Sequence, residues 1–138
     1  AHEKVSVPGS VPDRRSPLNI LIAEDNPISL KVIAQMVEKL GHSFTIALNG
    51  AEAVEAFNGQ EFDLVLMDIQ MPVMDGITAT RRIHAMQREN GRRVPVIALT
   101  ANAMAGDRER ILGQGLDDYV AKPLKLDTLK AVIQRNIA

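Results

Sequence analysis

The chain of 138 residues contains no cysteine, and its acidic and basic side chains nearly balance at a formal net charge of −1. Without cysteine it can form neither a disulfide framework nor a thiolate metal site. A net charge near zero creates no field that would attract nucleic acid or anionic lipid. No apolar run approaches the ~18 residues of a membrane-spanning helix, and a signal-peptide pattern is missing. We therefore expect a cytoplasmic domain without direct contact to nucleic acid or membrane.

The length fits one domain with a single core. Residues 1–17 include Pro8, Pro12 and Pro17 among glycine and serine, without a sustained hydrophobic period. This composition predicts a disordered linker or a tag remnant, and the folded domain should cover residues 18–138. Because the first residue is alanine, we expect a piece of a longer chain or a processed product.

Apolar strands alternate with amphipathic helices five times along the rest of the chain. The predicted strands are 18–23, 43–48, 62–67, 94–99 and 118–121, and the helices 27–40, 49–58, 76–87, 103–112 and from 126 onward. Such alternation implies parallel strands, right-handed crossovers and helices on both faces. The pattern predicts an α/β, flavodoxin-like (βα)5 sandwich of three layers with strand order 2-1-3-4-5. A βα barrel needs eight repeats, which the length excludes.

Two details of the helices are also predicted. Ile28 and Val32 recur at four-residue spacing, beside Ile33 and Val37, which is typical of an amphipathic helix. Residues 88–93 are polar and predict a loop between the third helix and the fourth strand.

The apolar run of the third strand ends at a carboxylate, Asp68. A charge at the end of a buried strand costs free energy unless a partner offsets it. The loop that follows contains Met71–Pro72 and Asp75–Gly76, both typical of turns. Taken alone, Asp68 fits a cap and a ligand-binding residue equally well.

Polar residues at the other strand ends resolve this ambiguity. Parallel strands place their carboxyl ends at one edge, which should collect Glu24, Asp25, Asp68, Thr100 and Lys122. Carboxylates repel, one pair ~4 Å apart by about 4 kcal/mol at an effective dielectric of ~20, and a divalent cation removes that cost. Oxygen ligands suit Mg²⁺ or Mn²⁺. Metal, ammonium and hydroxyl together predict a phosphoryl site, with Asp68 as the nucleophile that forms an acyl phosphate.

Two alternatives to a phosphoacceptor module are open. A metal-dependent phosphohydrolase with an aspartyl nucleophile would need a second carboxylate as general acid, but Gln70 stands two positions after Asp68. A flavodoxin-like domain that binds flavin or nucleotide would need a glycine-rich phosphate loop after the first strand. The segment Glu24–Pro27 stands there instead, and its carboxylates would repel phosphate in the absence of metal.

The motifs Glu24–Asp25, Met67–Asp68 with Met71–Pro72 and Asp75–Gly76, Thr100–Ala101 and Lys122–Pro123 occur in this order, each beside a strand end. In this combination the chain resembles the receiver domain of two-component response regulators, from about residue 18 to 138. The stretches ALTANAMAGDRER and GLDDYVAKP look most like receivers of hybrid sensor histidine kinases.

The resemblance implies a phosphorelay role. A histidine kinase would transfer a phosphoryl group from its phosphohistidine to Asp68, and a histidine phosphotransfer domain could be a further partner. Asp25, Asp68 and the backbone carbonyl of Gln70 would bind the metal directly, and Glu24 through water. Whether such a domain counts as an enzyme stays open, because a receiver catalyses its own phosphorylation and dephosphorylation. The parent chain would be a hybrid sensor histidine kinase, anchored in a membrane or not, or a stand-alone regulator.

The resemblance also implies a conformational switch. The Thr100 hydroxyl would move toward the phosphoryl group, and the ring of Tyr119, the only tyrosine, would fill the space left behind. Ala101 is small and would leave the site accessible. The Lys122–Pro123 bond is expected to be cis.

Overall fold

The computed structural model describes residues 17–90, 93–101 and 107–137, so the predicted linker of residues 1–17 lies outside it except for Pro17. Strands and helices alternate in the order β1 (Asn19–Ala23), α1 (Pro27–Lys39), β2 (Ser43–Ala47), α2 (Gly50–Gly59), β3 (Leu64–Asp68), α3 (Gly76–Asn90), β4 (Val96–Thr100), α4 (Asp107–Leu112), β5 (Asp118–Ala121) and α5 (Leu126–Ile137). All paired strands are parallel, in the order β2-β1-β3-β4-β5. The flavodoxin-like fold predicted from the sequence is confirmed.

The sheet is covered on both faces, which explains why its central strands are apolar throughout. Successive side chains of a strand point to opposite faces. In β3, Val65 and Met67 join a buried cluster with residues of α2, α3 and α4. Leu64 and Leu66 join a second cluster with residues of α1 and α5. Every residue of β3 and β4 is buried, so polar side chains at their ends are held by a rigid layer.

Local signals at the helix ends have the predicted roles. The Asn26 side chain accepts hydrogen bonds from the backbone N–H groups of Ile28 and Ser29, at 2.9 and 3.1 Å, and Pro27 occupies the first turn. Gly41 follows the helix with a φ of 89°, the left-handed conformation that glycine adopts most readily. The Asn26 cap fixes where α1 begins, two residues after Asp25, and Gly41 fixes where the chain leaves it.

The strand and helix boundaries lie within two residues of the prediction except at the end of α3 and the start of α4. Helix α3 continues to Asn90, three residues farther than expected, so the prediction of a loop is wrong for residues 88–90. The buried Gln87 side chain donates to the Val94 carbonyl and accepts from its N–H, each at 3.1 Å. These two bonds pair the N–H and carbonyl of Val94, just before β4. The connection between α3 and β4 is therefore shorter than predicted. The predicted start of α4 falls on residues 102–106, outside the described part.

The apolar residues of α1 are not all buried. Ile33 and Val37 are buried against the sheet, whereas Ile28 is 76% exposed and Val32 39% exposed. The helix therefore presents two apolar side chains to solvent near its first turns, beside the Glu24–Asp25 segment. In the described residues, no helix combines the length and apolarity that a membrane crossing requires.

Candidate functional site

The carboxyl ends of four strands bring the predicted polar residues to one edge of the sheet, which we call the carboxyl edge. Glu24 follows β1, Asp68 ends β3, Thr100 ends β4 and Lys122 follows β5. The register pairs Asp68 with Leu99 and Thr100 with Ala121. The carboxyl ends of β3, β4 and β5 are therefore nearly level along the strand direction. The prediction that these residues share one edge is confirmed.

Three carboxylates form a close cluster at this edge. Glu24, Asp25 and Asp68 each offer an oxygen, and these oxygens lie within 4.8 Å of one another. The Glu24 side chain is fully buried and Asp68 is 5% exposed, whereas Asp25 is exposed. The cluster therefore opens to solvent on the side of Asp25.

Lys122 is the cation that faces this cluster. Its Nζ lies 2.8 Å from Glu24 Oε1 and 3.2 Å from Asp68 Oδ2. Burial lowers the pKa of the Lys122 ammonium, but the two carboxylates more than offset this, and the pKa lies above its ordinary range. Burial raises the pKa of the Glu24 carboxyl; Lys122 opposes the rise and Asp68 adds to it, and the net pKa is raised.

Backbone N–H groups orient both buried carboxylates. Glu24 Oε2 accepts from the N–H of Asn26 at 3.1 Å, and Asp68 Oδ1 accepts from the N–H of Gln70 at 3.0 Å. In each carboxylate the other oxygen faces Lys122. Both side chains are thus held in one orientation.

The donor set fits a divalent cation. Three carboxylates face one ammonium group, which leaves excess negative charge in a largely buried place. Among the described residues, the buried Glu24 Oε1 has Lys122 as an ion-pair partner at 2.8 Å but no partner with hydrogen-bond geometry. Such an unsatisfied acceptor is costly to bury. An all-oxygen set is typical of Mg²⁺ or Mn²⁺ sites.

Thr100 and Tyr119 lie on the same face of the sheet. Tyr119 is partly buried against the cluster that contains Ala98, and the register places Tyr119 opposite Ala98. The buried Thr100 lies two residues after Ala98 in β4, so both side chains point to the same face. Asp68 follows Met67 and, by the alternation of strand side chains, belongs to the opposite face. Ala101 is exposed beside Thr100, and the Lys122–Pro123 bond is cis, as predicted.

Two features of the site were not predicted from the sequence. Lys122 Nζ lies closer to Glu24 Oε1, at 2.8 Å, than to Asp68 Oδ2, at 3.2 Å. The turn Ala47–Gly50, between β2 and α2, contacts loops on both sides of the carboxylate cluster. Its Asn49–Gly50 pair indicated only the start of a helix, because backbone contacts between distant segments leave no local pattern.

Comparison with known proteins identifies the family. The family model described as response regulator receiver domain matches residues 20–134. Hybrid signal transduction histidine kinase G of Dictyostelium discoideum is 45% identical over 120 residues, which are 86% of this chain and 4% of that kinase. The chain therefore spans only a small part of this relative.

Solved structures agree with this match. The receiver domain of sensor histidine kinase PA1611 from Pseudomonas aeruginosa, with a magnesium ion in its active site cleft, is 48% identical, with a TM-score of 0.79 over 88% of this chain and 98% of that one. A co-crystal structure of the Saccharomyces cerevisiae histidine phosphotransfer signalling protein Ypd1 with the receiver domain of Ssk1 matches at 33% identity, with a TM-score of 0.81 over 87% of this chain and 88% of that one. The chain belongs to the response regulator receiver domain family of two-component phosphorelays.

Proposed function

We propose that Asp68 accepts a phosphoryl group from a phosphohistidine, with Mg²⁺ or Mn²⁺ as cofactor. One observation supports this most directly: Asp68 Oδ2 lies 3.2 Å from the Lys122 ammonium, in a carboxylate cluster that opens to solvent at Asp25. A phosphoryl donor can approach Asp68 from the solvent side, while Lys122 offsets the carboxylate charge from within the protein.

In the transfer, a carboxylate oxygen of Asp68 bonds to phosphorus as the phosphorus–nitrogen bond of the donor breaks. The electron pair of that bond goes to the imidazole nitrogen. Lys122, already within ion-pair distance of Asp68, offsets charge on the phosphoryl oxygens. Asp25, Asp68 and the Gln70 carbonyl would bind the metal directly and Glu24 through water. When bound, the metal supplies further positive charge at the phosphoryl oxygens.

The proposed partners are a histidine kinase and a histidine phosphotransfer domain, with the exchange taking place in the cytoplasm. Of the proteins named above, one is a hybrid histidine kinase, one is the receiver domain of a sensor histidine kinase, and one is a receiver domain crystallised with a histidine phosphotransfer protein. In this chain, Ile28 is 76% and Val73 82% exposed, on segments that follow Asp25 and Asp68. Apolar side chains around a reactive carboxylate are suited to contact with a protein donor rather than a small charged substrate.

Incubation with acetyl phosphate and Mg²⁺ is expected to add one labile phosphoryl group per chain, because the proposed site contains one nucleophile. Intact-protein mass spectrometry measures the number. Continuous turnover of many substrate molecules, without an accumulating adduct, would favour the phosphohydrolase. A yellow protein with a flavin spectrum after purification would favour the flavodoxin-like alternative.

We further propose that phosphorylation is detected through Thr100 and Tyr119. Both face the layer of α2, α3 and α4, and Tyr119 lies opposite the small Ala98. The exposed Ala101 would leave the phosphoryl group accessible. A phosphoryl group that draws the Thr100 hydroxyl toward the carboxyl edge would favour the inward ring position of a pre-existing pair.

Beryllofluoride, a mimic of the acyl phosphate, is expected to shift the NMR signals of Thr100 and Tyr119 together with those of Asp68. Thr100→Val should leave binding at Asp68 detectable and abolish the shift at Tyr119, because the responding hydroxyl is gone. If beryllofluoride leaves the Tyr119 signals of the wild-type domain unchanged, the switch is refuted. The assignment of Asp68 as phosphoacceptor would not be affected by that result.

A further inference from the structure

The Ala47–Gly50 turn carries none of the proposed ligands, yet it bonds to both loops that do. The Glu24 backbone N–H donates to the Ala47 carbonyl at 3.0 Å, and the Gly50 N–H donates to the Met74 carbonyl at 2.9 Å. Glu24 begins the acidic loop after β1, and Met74 belongs to the loop after Asp68. One short turn therefore fixes the backbone on two sides of the carboxylate cluster.

The turn itself is held by reciprocal capping bonds. The Asn49 side chain accepts from the Glu52 N–H at 2.9 Å, and the Glu52 carboxylate accepts from the Leu48 N–H at 2.9 Å. This arrangement satisfies backbone donors at the start of α2 and restricts the turn to one conformation. The turn can therefore hold the two loops that it contacts in fixed positions.

The loop after Asp68 needs such support because it is strained. Val73 has a φ of 67°, which is unusual for a β-branched residue, and the Met74 N–H donates to the Pro72 carbonyl at 2.7 Å. The bond across a single residue with positive φ matches a classic γ-turn, a rare and strained conformation. Strained backbone persists where surrounding contacts determine it, and the Gly50 contact is made at the residue directly after Val73.

Gly50 allows this contact because it has no side chain. It is buried, and a Cβ added there would overlap the Met74 carbonyl oxygen. Any other residue would push the loop away from α2. The displacement would be passed toward Gln70, since only residues 71–73 separate it from Met74.

We infer that Gly50 is a positioning residue for the metal site: through Met74 it sets where the loop places the Gln70 carbonyl relative to Asp68. The inference rests on the proposed function, since it assumes that the cation binds at these residues. It assigns to the β2–α2 turn a part in Mg²⁺ affinity, although no atom of the turn would touch the metal.

Gly50→Ala is expected to raise the Kd for Mg²⁺ about tenfold or more, the usual effect of disturbing groups that orient metal ligands. Calorimetric titration with Mg²⁺ measures it. Gly59→Ala is the matched control, because a Cβ at that position of the same helix meets nothing within 4 Å. Ile133→Val, in the buried cluster on the other face, controls for a general loss of stability. Both controls should bind Mg²⁺ with the wild-type Kd.

Wild-type protein provides a second measurement that needs no folded variant. Because coupling between sites is reciprocal, Mg²⁺ should slow hydrogen exchange of the Gly50 amide by about fivefold or more, relative to the Ala53 amide of the same helix. A wild-type Kd for Gly50→Ala would overturn the inference but not the proposed function. A Gly50-to-Ala53 exchange ratio that Mg²⁺ leaves unchanged would do the same. Wild-type protein that binds no Mg²⁺ would refute the proposed metal site itself.

Discussion

Asp68→Asn is expected to reduce phosphoryl incorporation from acetyl phosphate and Mg²⁺ to below about 1% of the wild-type level, because an amide is not an acyl-phosphate-forming nucleophile. The substitution preserves the shape of a side chain that is 5% exposed. The amide oxygen can still accept the hydrogen bond from the Gln70 N–H. We therefore expect a folded domain in which only the chemistry is lost, as measured by intact-protein mass spectrometry.

Asp75→Asn is the matched control. Asp75 lies in the same loop and is exposed, and its side chain caps α3 by accepting from the Thr78 N–H at 2.8 Å. Asparagine caps helices as well as aspartate, so this variant should be phosphorylated normally. Chelation of Mg²⁺ by EDTA should suppress incorporation in both wild type and control. Substantial labelling of Asp68→Asn would show that another residue is the phosphoacceptor.

Lys122→Met is expected to lower the free energy of unfolding of the metal-free domain by about 3 kcal/mol at pH 7, since it leaves Glu24 buried without its cation. Protonation of Glu24 limits the loss. For a carboxyl with an ordinary pKa of 4.5, protonation at pH 7 costs about 3.4 kcal/mol. Urea unfolding measures the difference in the free energy of unfolding between wild type and Lys122→Met. Mg²⁺ should reduce this difference, because the metal replaces the missing positive charge.

The penalty should depend on pH in a defined direction. Without Lys122 the pKa of Glu24 rises further, so the folded variant binds a proton that the unfolded chain releases above its ordinary pKa of 4.5. Stability then falls as the pH rises through this window and recovers as the pH drops toward 4.5. Below that value Glu24 is protonated in both states, and the part of the stability loss that comes from Glu24 disappears.

Two variants separate this effect from a general lysine effect. Lys125→Met changes an exposed lysine of the same connection and should alter stability by less than about 0.5 kcal/mol. Glu24→Gln combined with Lys122→Met removes the uncompensated charge and should recover most of the loss. If Lys122→Met were as stable as Lys125→Met across this pH range, the ion pair would not stabilise the metal-free domain.

The sequence predicted the fold and the carboxyl edge because both follow from short-range patterns combined with topology. Five apolar runs of strand length, each followed by a helix with a start signal such as Asn26–Pro27, leave few arrangements open. Once the strands are parallel, residues such as Asp68 and Lys122 must meet at one edge. Their separation of 54 positions in the chain was therefore no obstacle.

What the sequence did not predict depends on distances of a few tenths of an ångström or on backbone atoms. Lys122 contacts both Glu24 and Asp68, and its Nζ lies closer to Glu24, at 2.8 against 3.2 Å. The Gly50 contact involves only an N–H and a carbonyl, which every non-proline residue has. The exposure of Ile28 depends on how α1 is rotated on the sheet, and the repeat of apolar residues fits more than one rotation.

The separation of the two sheet faces bears on how many proteins this domain can hold at one time. The buried clusters on the two faces have no residue in common. Ile28 lies on α1, which belongs to the face of Asp68, whereas Tyr119 belongs to the face of α2, α3 and α4. A protein that delivers the phosphoryl group over α1 would leave the surface near Tyr119 uncovered. Delivery and readout could then overlap in time, and successive partners would not need to compete for one surface.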